Sequence, residues 1–466
     1  MKHLNKTFAI AAAIAFCGIA TKLAAQTESS SNTPTATAAK PVATEPMSAE
    51  EAIAASPLVP VIELQNYRPE DQRGINVFEA PKTEGISYQG FKLFWGAAFT
   101  QQFQGLDHSN HASPVMVSGV NTTQLIPIGH GFNNAEANLY LNAQLAPGIR
   151  VQTTMYLSSR HHSETWVKDG FLLMDASPID FQPLNSLMKY VTVKFGDFEI
   201  NYGDTHFRRT DNGNAMRNPL VGNYIMDAFT NEIGGEIQVR ANGLLGILSM
   251  TGGENKGMVT TPEKRAPSYI AKLGFDRQLD RNLRVRLMGS MYTTSRSASN
   301  TLYSGDRSGS RYYDVMQNTT STEAAQAWSG SIQPGFASSI RAFVFNPFVK
   351  YQGLELYGNL ERAKGRAATE TTDREFKQYV GEAVYRFLPL NQLFVAGRYN
   401  RVSGRLSRFA ADVSVNRSQI GGGWFLTPNM VLKAEYVRQS FNDFPKTDIR
   451  NGGQFKGFMV ESSVAF

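Results

Sequence analysis

From about residue 90 to the end, the chain is built of segments of roughly ten residues in which apolar and polar side chains alternate. Leu93, Trp95, Ala97 and Phe99 share one face, with Lys92, Thr100 and Gln102 on the other; Ala137, Leu139, Leu141 and Ala143 oppose Glu136, Asn138, Tyr140 and Asn142. Leu283, Val285 and Leu287 likewise oppose Arg284 and Arg286. A period of two puts successive side chains on opposite faces of a strand, so each segment reads as a β-strand with one apolar face. Sixteen such segments are predicted: 91–104, 132–146, 149–160, 164–175, 189–203, 232–240, 244–252, 268–276, 283–295, 341–350, 353–362, 375–387, 392–402, 413–426, 430–439 and 456–466. Segments 164–175 and 341–350 fit least well, because both of their faces carry apolar residues.

The connections are sorted by length. Ala146-Pro147-Gly148, Ala241-Asn242-Gly243, Tyr351-Gln352-Gly353 and Thr427-Pro428-Asn429 are tight turns, and 276–282 and 388–391 are nearly as short; 176–188 is the exception. The intervening connections, including 105–131, 205–231, 253–267 and 296–340, are mostly longer and more polar. Short turns at one end and long loops at the other, with an even strand count, predict an all-β, closed antiparallel transmembrane barrel. A soluble sandwich has no reason to segregate its loops in this way. No fixed-period repeat points to a propeller or solenoid.

Composition agrees, since a barrel's two faces average out. Charged residues make up 18% and aromatics 11% of the chain, and only the N-terminus holds an apolar run of any length. Residues 1–25 read as a cleaved signal peptide: Lys2 and Lys6, an apolar core, then Leu23-Ala24-Ala25. Bulky Phe16 argues against lipid attachment at Cys17, the only cysteine. Removing Lys2, Lys6 and Lys22 with the signal lowers the formal charge from +6 to +3. No long basic run remains, and nucleic acid is not an expected partner. Residues 26–60, rich in Thr, Ser, Ala and Pro, are expected to be a disordered periplasmic lead-in, and 61–89 a pre-barrel segment of unassigned role.

The chain ends on Phe458, Val460, Ser462, Val464 and Phe466, alternating up to an aromatic carboxy-terminus. This resembles the terminal-strand signal that the barrel assembly machinery recognises. The barrel as a whole resembles bacterial outer-membrane porins, and through Val193-Lys194-Phe195-Gly196-Asp197-Phe198 and the Arg- and Asn-rich loop after it, the phosphate-selective O/P-type porins and related Bacteroidota porin-like barrels. The resemblance implies 16 strands, a homotrimer in contact with outer-membrane lipid and lipopolysaccharide, a third outer loop folded into the lumen, and passive diffusion of small hydrophilic solutes. The helical lead-in of some of those porins is absent, so phosphate selectivity is not carried over.

In that third loop, 205–231, Arg208, Arg209, Asp211 and Arg217 are the candidate pore constriction, because guanidinium groups hold fixed charge and offer forked donors to anions. Strand phasing turns Lys92, Arg150, Lys194, Lys272, Arg284, Arg286, Arg386, Arg398 and Lys433 into the lumen against Glu136, Glu236, Glu355, Glu361, Glu382 and Glu435. The balance leans basic, favouring anions, unless these charges pair across the wall. Asp107, His108 and His111 offer too few ligands for a closed metal site. Ser158 with His161, and Asp204 with His206, are close in sequence, which does not orient a nucleophile and base. No cofactor fingerprint is present, and no enzyme is expected. A TonB-dependent transporter needs about 22 strands and a folded plug. A non-conducting structural or adhesive barrel, and more remotely a barrel-embedded hydrolase, are the alternatives.

Overall fold

The structure, a computed structural model, describes residues 48–62, 64–80, 82, 88–133, 135–159, 165–257, 259–304, 313–322 and 329–466. The signal segment with Cys17, most of the lead-in, and His161 and His162 lie outside the described residues.

Sixteen long strands form the wall. They are β1 (Lys92–Ser109), β2 (Glu136–Ala146), β3 (Ile149–Ser158), β4 (Thr165–Met174), β5 (Val191–Glu199), β6 (Asn231–Ala241), β7 (Leu244–Thr251) and β8 (Ser268–Gln278). The second half comprises β9 (Leu283–Thr294), β10 (Ser339–Tyr351), β11 (Leu354–Arg366), β12 (Arg374–Phe387), β13 (Leu393–Gly404), β14 (Val413–Thr427), β15 (Met430–Asn442) and β16 (Gln454–Ala465). Each pairs antiparallel with the next, and β16 returns to β1 in the register Phe99↔Val464 to Ser109↔Gln454. Backbone bonds between Ala97 and Phe466, at 2.9 and 3.0 Å, complete the seam. Closure gives every described wall strand a neighbour on both sides, so the sheet has no free edge strand, which lipid requires of any sheet that spans it.

The burial pattern is inverted relative to a soluble protein. Trp95, Phe195, Leu248, Leu273, Phe343, Val395, Ile420 and Phe458 are exposed, while Glu136, Asn142, Arg150, Lys272, Glu382 and Glu461 are buried. Alternation thus turns the apolar face outward as a belt and the polar face inward.

Two expectations need correction. The lead-in is structured before residue 60: helix α1 (Ala49–Ala54) starts at a capping box in which Ser48 and Glu51 exchange side-chain and backbone bonds. The fifth strand stops at Glu199 rather than at 203, because Lys272 Nζ captures the Gly203 carbonyl at 2.7 Å and Asn346 accepts from the Asp204 N–H at 3.0 Å, drawing the chain inward. The long connection after β4 holds helix α2 (Gln182–Met188), with proline in its first turn.

The lumen is not uniformly polar. Towards the long-loop rim, inward-facing Ile340, Ala342, Val344, Ala363, Phe376 and Val402 pack with Val221, Ile225 and Met226 and with Leu302, Tyr303, Val315 and Phe336 of the connection between β9 and β10. The double-sided apolar character of 341–350 follows from this: one face meets the outward belt, the other meets loops folded into the barrel mouth.

Candidate functional site

Residues 200–230, between β5 and β6, run through the lumen and are buried along almost their whole length. Against β2, the Gly213 N–H donates to Asn138 Oδ1 at 2.9 Å. A Cβ on Gly213 would lie 2.5 Å from Ala137 Cα, so this approach requires glycine. On β15, separated from β2 by β1 and β16, Lys433 donates to the carbonyls of Ala215, Asn218 and Leu220 at 2.8 to 3.0 Å. The Val221 and Ile225 N–H groups donate to Glu435 on β15 and Asn400 on β13, at 2.8 and 2.7 Å. With the Asp204 N–H donating to Asn346 on β10, eight strands from β2, the inserted loop spans the lumen, and these peptide groups are met by wall side chains.

The constriction candidates are neutralised by partners. Arg208 donates to Glu382 at 2.8 and 3.0 Å and lies 3.3 Å from Glu355. Arg209 grips Asp227 at 2.8 to 3.2 Å and stacks 3.9 Å from the Phe229 ring centroid. Arg217 donates to Glu70 at 2.6 Å, and Asp211 accepts from Lys168 at 2.7 Å.

Glu70 belongs to the second insertion. The pre-barrel segment enters from the short-turn rim, where the Gln72 N–H donates to Pro428 O at 2.9 Å and its side chain to Leu390 O at 3.0 Å. Asn76 donates to Glu355 at 2.7 Å, and Phe78 packs edge-on against Phe348 and Phe207. Glu79 then meets Lys272 at 2.8 Å and Arg286 at 2.9 Å, the same two cations that hold Asp204 of the inserted loop, each at 2.8 Å. Burial pushes both carboxyls up, but Arg286 and Lys272 outweigh it, holding Asp204 below and Glu79 well below the usual carboxylate range.

Two cavities lie inside the barrel beside the insertions. One of about 170 Å³ runs between the insertions and β2–β6, lined by Arg68, Arg150, Lys168, Asp169, Lys194 and His206 among others. A second, of about 360 Å³, lies at the short-turn rim beside Arg240, Asp276, Arg284 and Arg286, and shares Phe78 and Glu79 with the first. Two of the first cavity's guanidinium groups, Arg150 and Arg68, have no carboxylate within ion-pair distance among the described residues. Arg150 donates to Gln152 at 3.0 Å, to Asn66 O at 2.8 Å and to Asn142, its Nε unpartnered. Arg68 donates to the carbonyls of Gly74 and Phe207. His206 donates through Nδ1 to the Glu199 carboxylate, leaving Nε2 without a protein partner among the described residues.

The other phased cations do face inward, but in pairs: Lys194 with Glu236 at 3.3 Å, Arg284 with Asp276 at 2.7 Å, Arg386 with Glu355, Arg398 with Glu382 and Lys433 with Glu461, each at 2.6 Å. Lys92 is half-buried at the start of β1, and Glu136 is buried on β2. Asp204 and His206 are not brought together as a dyad, each being held by other groups. Both ring nitrogens of His108 face backbone, Ile126 O and the Met316 N–H, at 2.9 Å each. Phe458, Val460 and Phe466 lie exposed on the outer face, with Val464 half-buried beside them. Sequence reasoning missed Arg68, Glu70 and Glu79. The dense charge of Tyr67-Arg68-Pro69-Glu70-Asp71-Gln72-Arg73 was the signal for Arg68 and Glu70, and nothing local marked Glu79.

No family model matches the chain, and no curated protein matches it. Among solved structures it is similar to in-vitro folded OmpT, an outer membrane protein of Vibrio cholerae, with 10% identity over 82% of this chain and 100% of that one, at a TM-score of 0.46. The anion-selective porin from Comamonas acidovorans aligns at 11% identity over 81% of this chain and all of its own, TM-score 0.48. Pseudomonas putida OprB, in its high-pH structure, aligns at 10% identity over 81% and 94%, TM-score 0.48. The architecture rests on this chain's own strand register.

Proposed function

We propose that this chain is an outer-membrane barrel that passes small hydrophilic solutes by diffusion along a narrow polar slot between its β2–β6 wall and the two inserted segments. The observation that carries the reading is a polar, charge-lined cavity inside a barrel whose outward face is an apolar belt. Secretion through residues 1–25, recognition of the terminal strand by the assembly machinery, and a homotrimeric state belong to the same proposal. Because Arg208 and Arg209 spend their charge on Glu382 and Asp227, we assign the anion lean to Arg68 and Arg150, which face the slot with neutral acceptors only.

The second reading is a non-conducting structural barrel, favoured by the apolar cluster packed beneath the long-loop rim. Swelling of proteoliposomes in sugars of graded size separates the two. The diffusion reading expects influx of the smallest sugars and a sharp size cut-off; absence of influx for every solute contradicts it.

A further inference from the structure

The outer face of the wall carries a second site that conduction does not use. At the long-loop ends of β10–β13, cations stand directly opposite one another: Arg341 faces Lys364, and Arg362 faces Lys377. Arg401 faces Tyr379 one position below. These side chains point outward, Arg341 being 70% and Arg362 58% exposed. Among the described residues, Glu375 and Asp373 offset them, with Glu375 shared between Arg362 at 2.8 Å and Lys364 and Lys377 at 3.3 Å. Like charges directly opposite on a sheet repel, so the cluster retains a surplus of positive charge aimed away from the lumen.

Directly below, the belt is hollowed into a groove of about 1060 Å³, walled by Ile237, Leu248, Leu273, Phe343, Phe345 and Leu360. Small residues form its floor, Gly246, Ala271 and Gly289, and Arg362 and Lys377 close its upper end. The combination is amphiphilic in one direction: apolar space below, and above it an Arg and Lys cluster whose positive charges outnumber the two carboxylates they share.

We propose that this groove binds a phosphorylated lipid of the outer leaflet, its acyl chains in the hollow and its phosphate against Arg362, Lys377, Arg341 and Lys364. Charge complementarity selects this occupant over a second protein copy, since protein interfaces exclude charge from their centres. Guanidinium and ammonium groups are the ordinary partners of phosphate, and basic clusters at a membrane surface recognise anionic headgroups. The proposal rests on the membrane reading of the barrel but not on conduction.

The test uses the full chain, delipidated in detergent and incubated with bisphosphorylated lipid A, its dephosphorylated form or inorganic phosphate, and bound lipid is counted by native mass spectrometry. Bisphosphorylated lipid A is expected to be retained and the dephosphorylated form lost. The double variant R362Q/K377Q should weaken retention about 30-fold, at the loss per basic residue usual for a membrane surface. Ala271→Trp, which fills the groove and keeps every charge, should also weaken it; Arg277→Gln, near the other rim, should not. Heat-modifiable mobility verifies that each variant is folded, and unchanged conductance of R362Q/K377Q separates this site from the slot. Equal retention of the two lipid A forms, undiminished binding by R362Q/K377Q, or displacement by inorganic phosphate with no effect of Ala271→Trp would each overturn the proposal.

Discussion

Arg286 on β9 holds Asp204 of the inserted loop by two parallel hydrogen bonds, Nε to Oδ2 and Nη2 to Oδ1, both at 2.8 Å and both side chains buried. The same guanidinium reaches Glu79 of the pre-barrel segment. One wall residue thus ties both insertions, which makes them one cooperative unit. Asp204→Ala should loosen the loop by up to about 3–5 kcal/mol, the cost of fully unpairing a buried ion, because Arg286 and Lys272 lose one of the two carboxylates they share and keep Glu79. The measurement is protease cleavage within 205–230 as denaturant rises, with the barrel still resistant to SDS at room temperature. Adding Glu79→Ala should cost much less than the sum of the single effects; full additivity would mean that the segments dock independently.

Docking of the insertions should fall in two steps as pH is lowered. Burial holds the His206 imidazole below its ordinary 6.5, with Glu199 only partly opposing the shift. The unfolded state therefore takes up a proton first, and docking weakens as pH falls from about 6.5 towards the folded value. Asp204 and Glu79 titrate below their ordinary range, so their contribution is complete above about pH 4–5 and is lost as pH falls through their folded values. Limited proteolysis across pH checks both steps. His206→Gln should abolish the upper one and leave the lower; survival of the upper step in that variant would assign it elsewhere.

Charge in the slot should set ion preference. Arg68→Gln with Arg150→Gln is expected to move the reversal potential in a salt gradient towards cations, and high salt should shrink the shift by screening. Arg208→Gln should destabilise the loop while changing selectivity little, since its charge is already matched by Glu382 and Glu355. The opposite ranking of these variants would return selectivity to the loop arginines.

Phe466→Asp should abolish insertion. The Phe466 backbone closes the seam with Ala97 and its ring is about half exposed on the outer face. A charge near the interface costs a barrel only about 0–1 kcal/mol, so the predicted loss comes from recognition of the terminal strand. Heat-modifiable barrel at parental level in the outer-membrane fraction would refute this.

The wall was legible because its code is local: a period of two, turn residues at one rim, longer loops at the other. Leu93, Trp95 and Phe99 face out and Glu136 and Asn138 face in, as phasing alone requires. The contents of the lumen were not legible, because they depend on partners distant in the chain. Glu70 meets Arg217 across 147 residues, and Arg286 meets Asp204 across 82. Alternation gives the face a cation occupies, not whether a carboxylate from another segment arrives to neutralise it. Helix α1 was readable from its Ser48–Glu51 capping box, which the surrounding low-complexity composition obscured.

The central claim is that the lumen conducts only through a slot bounded by docked insertions. Single-channel recording of the full chain in planar bilayers tests it, beside the Asp204→Ala, Glu79→Ala variant. The parent should give small, ohmic steps, and the variant should add larger, fluctuating openings as the insertions swing free. Parent channels with the wide conductance of an unobstructed 16-stranded barrel, or no conductance from either protein, would contradict the account.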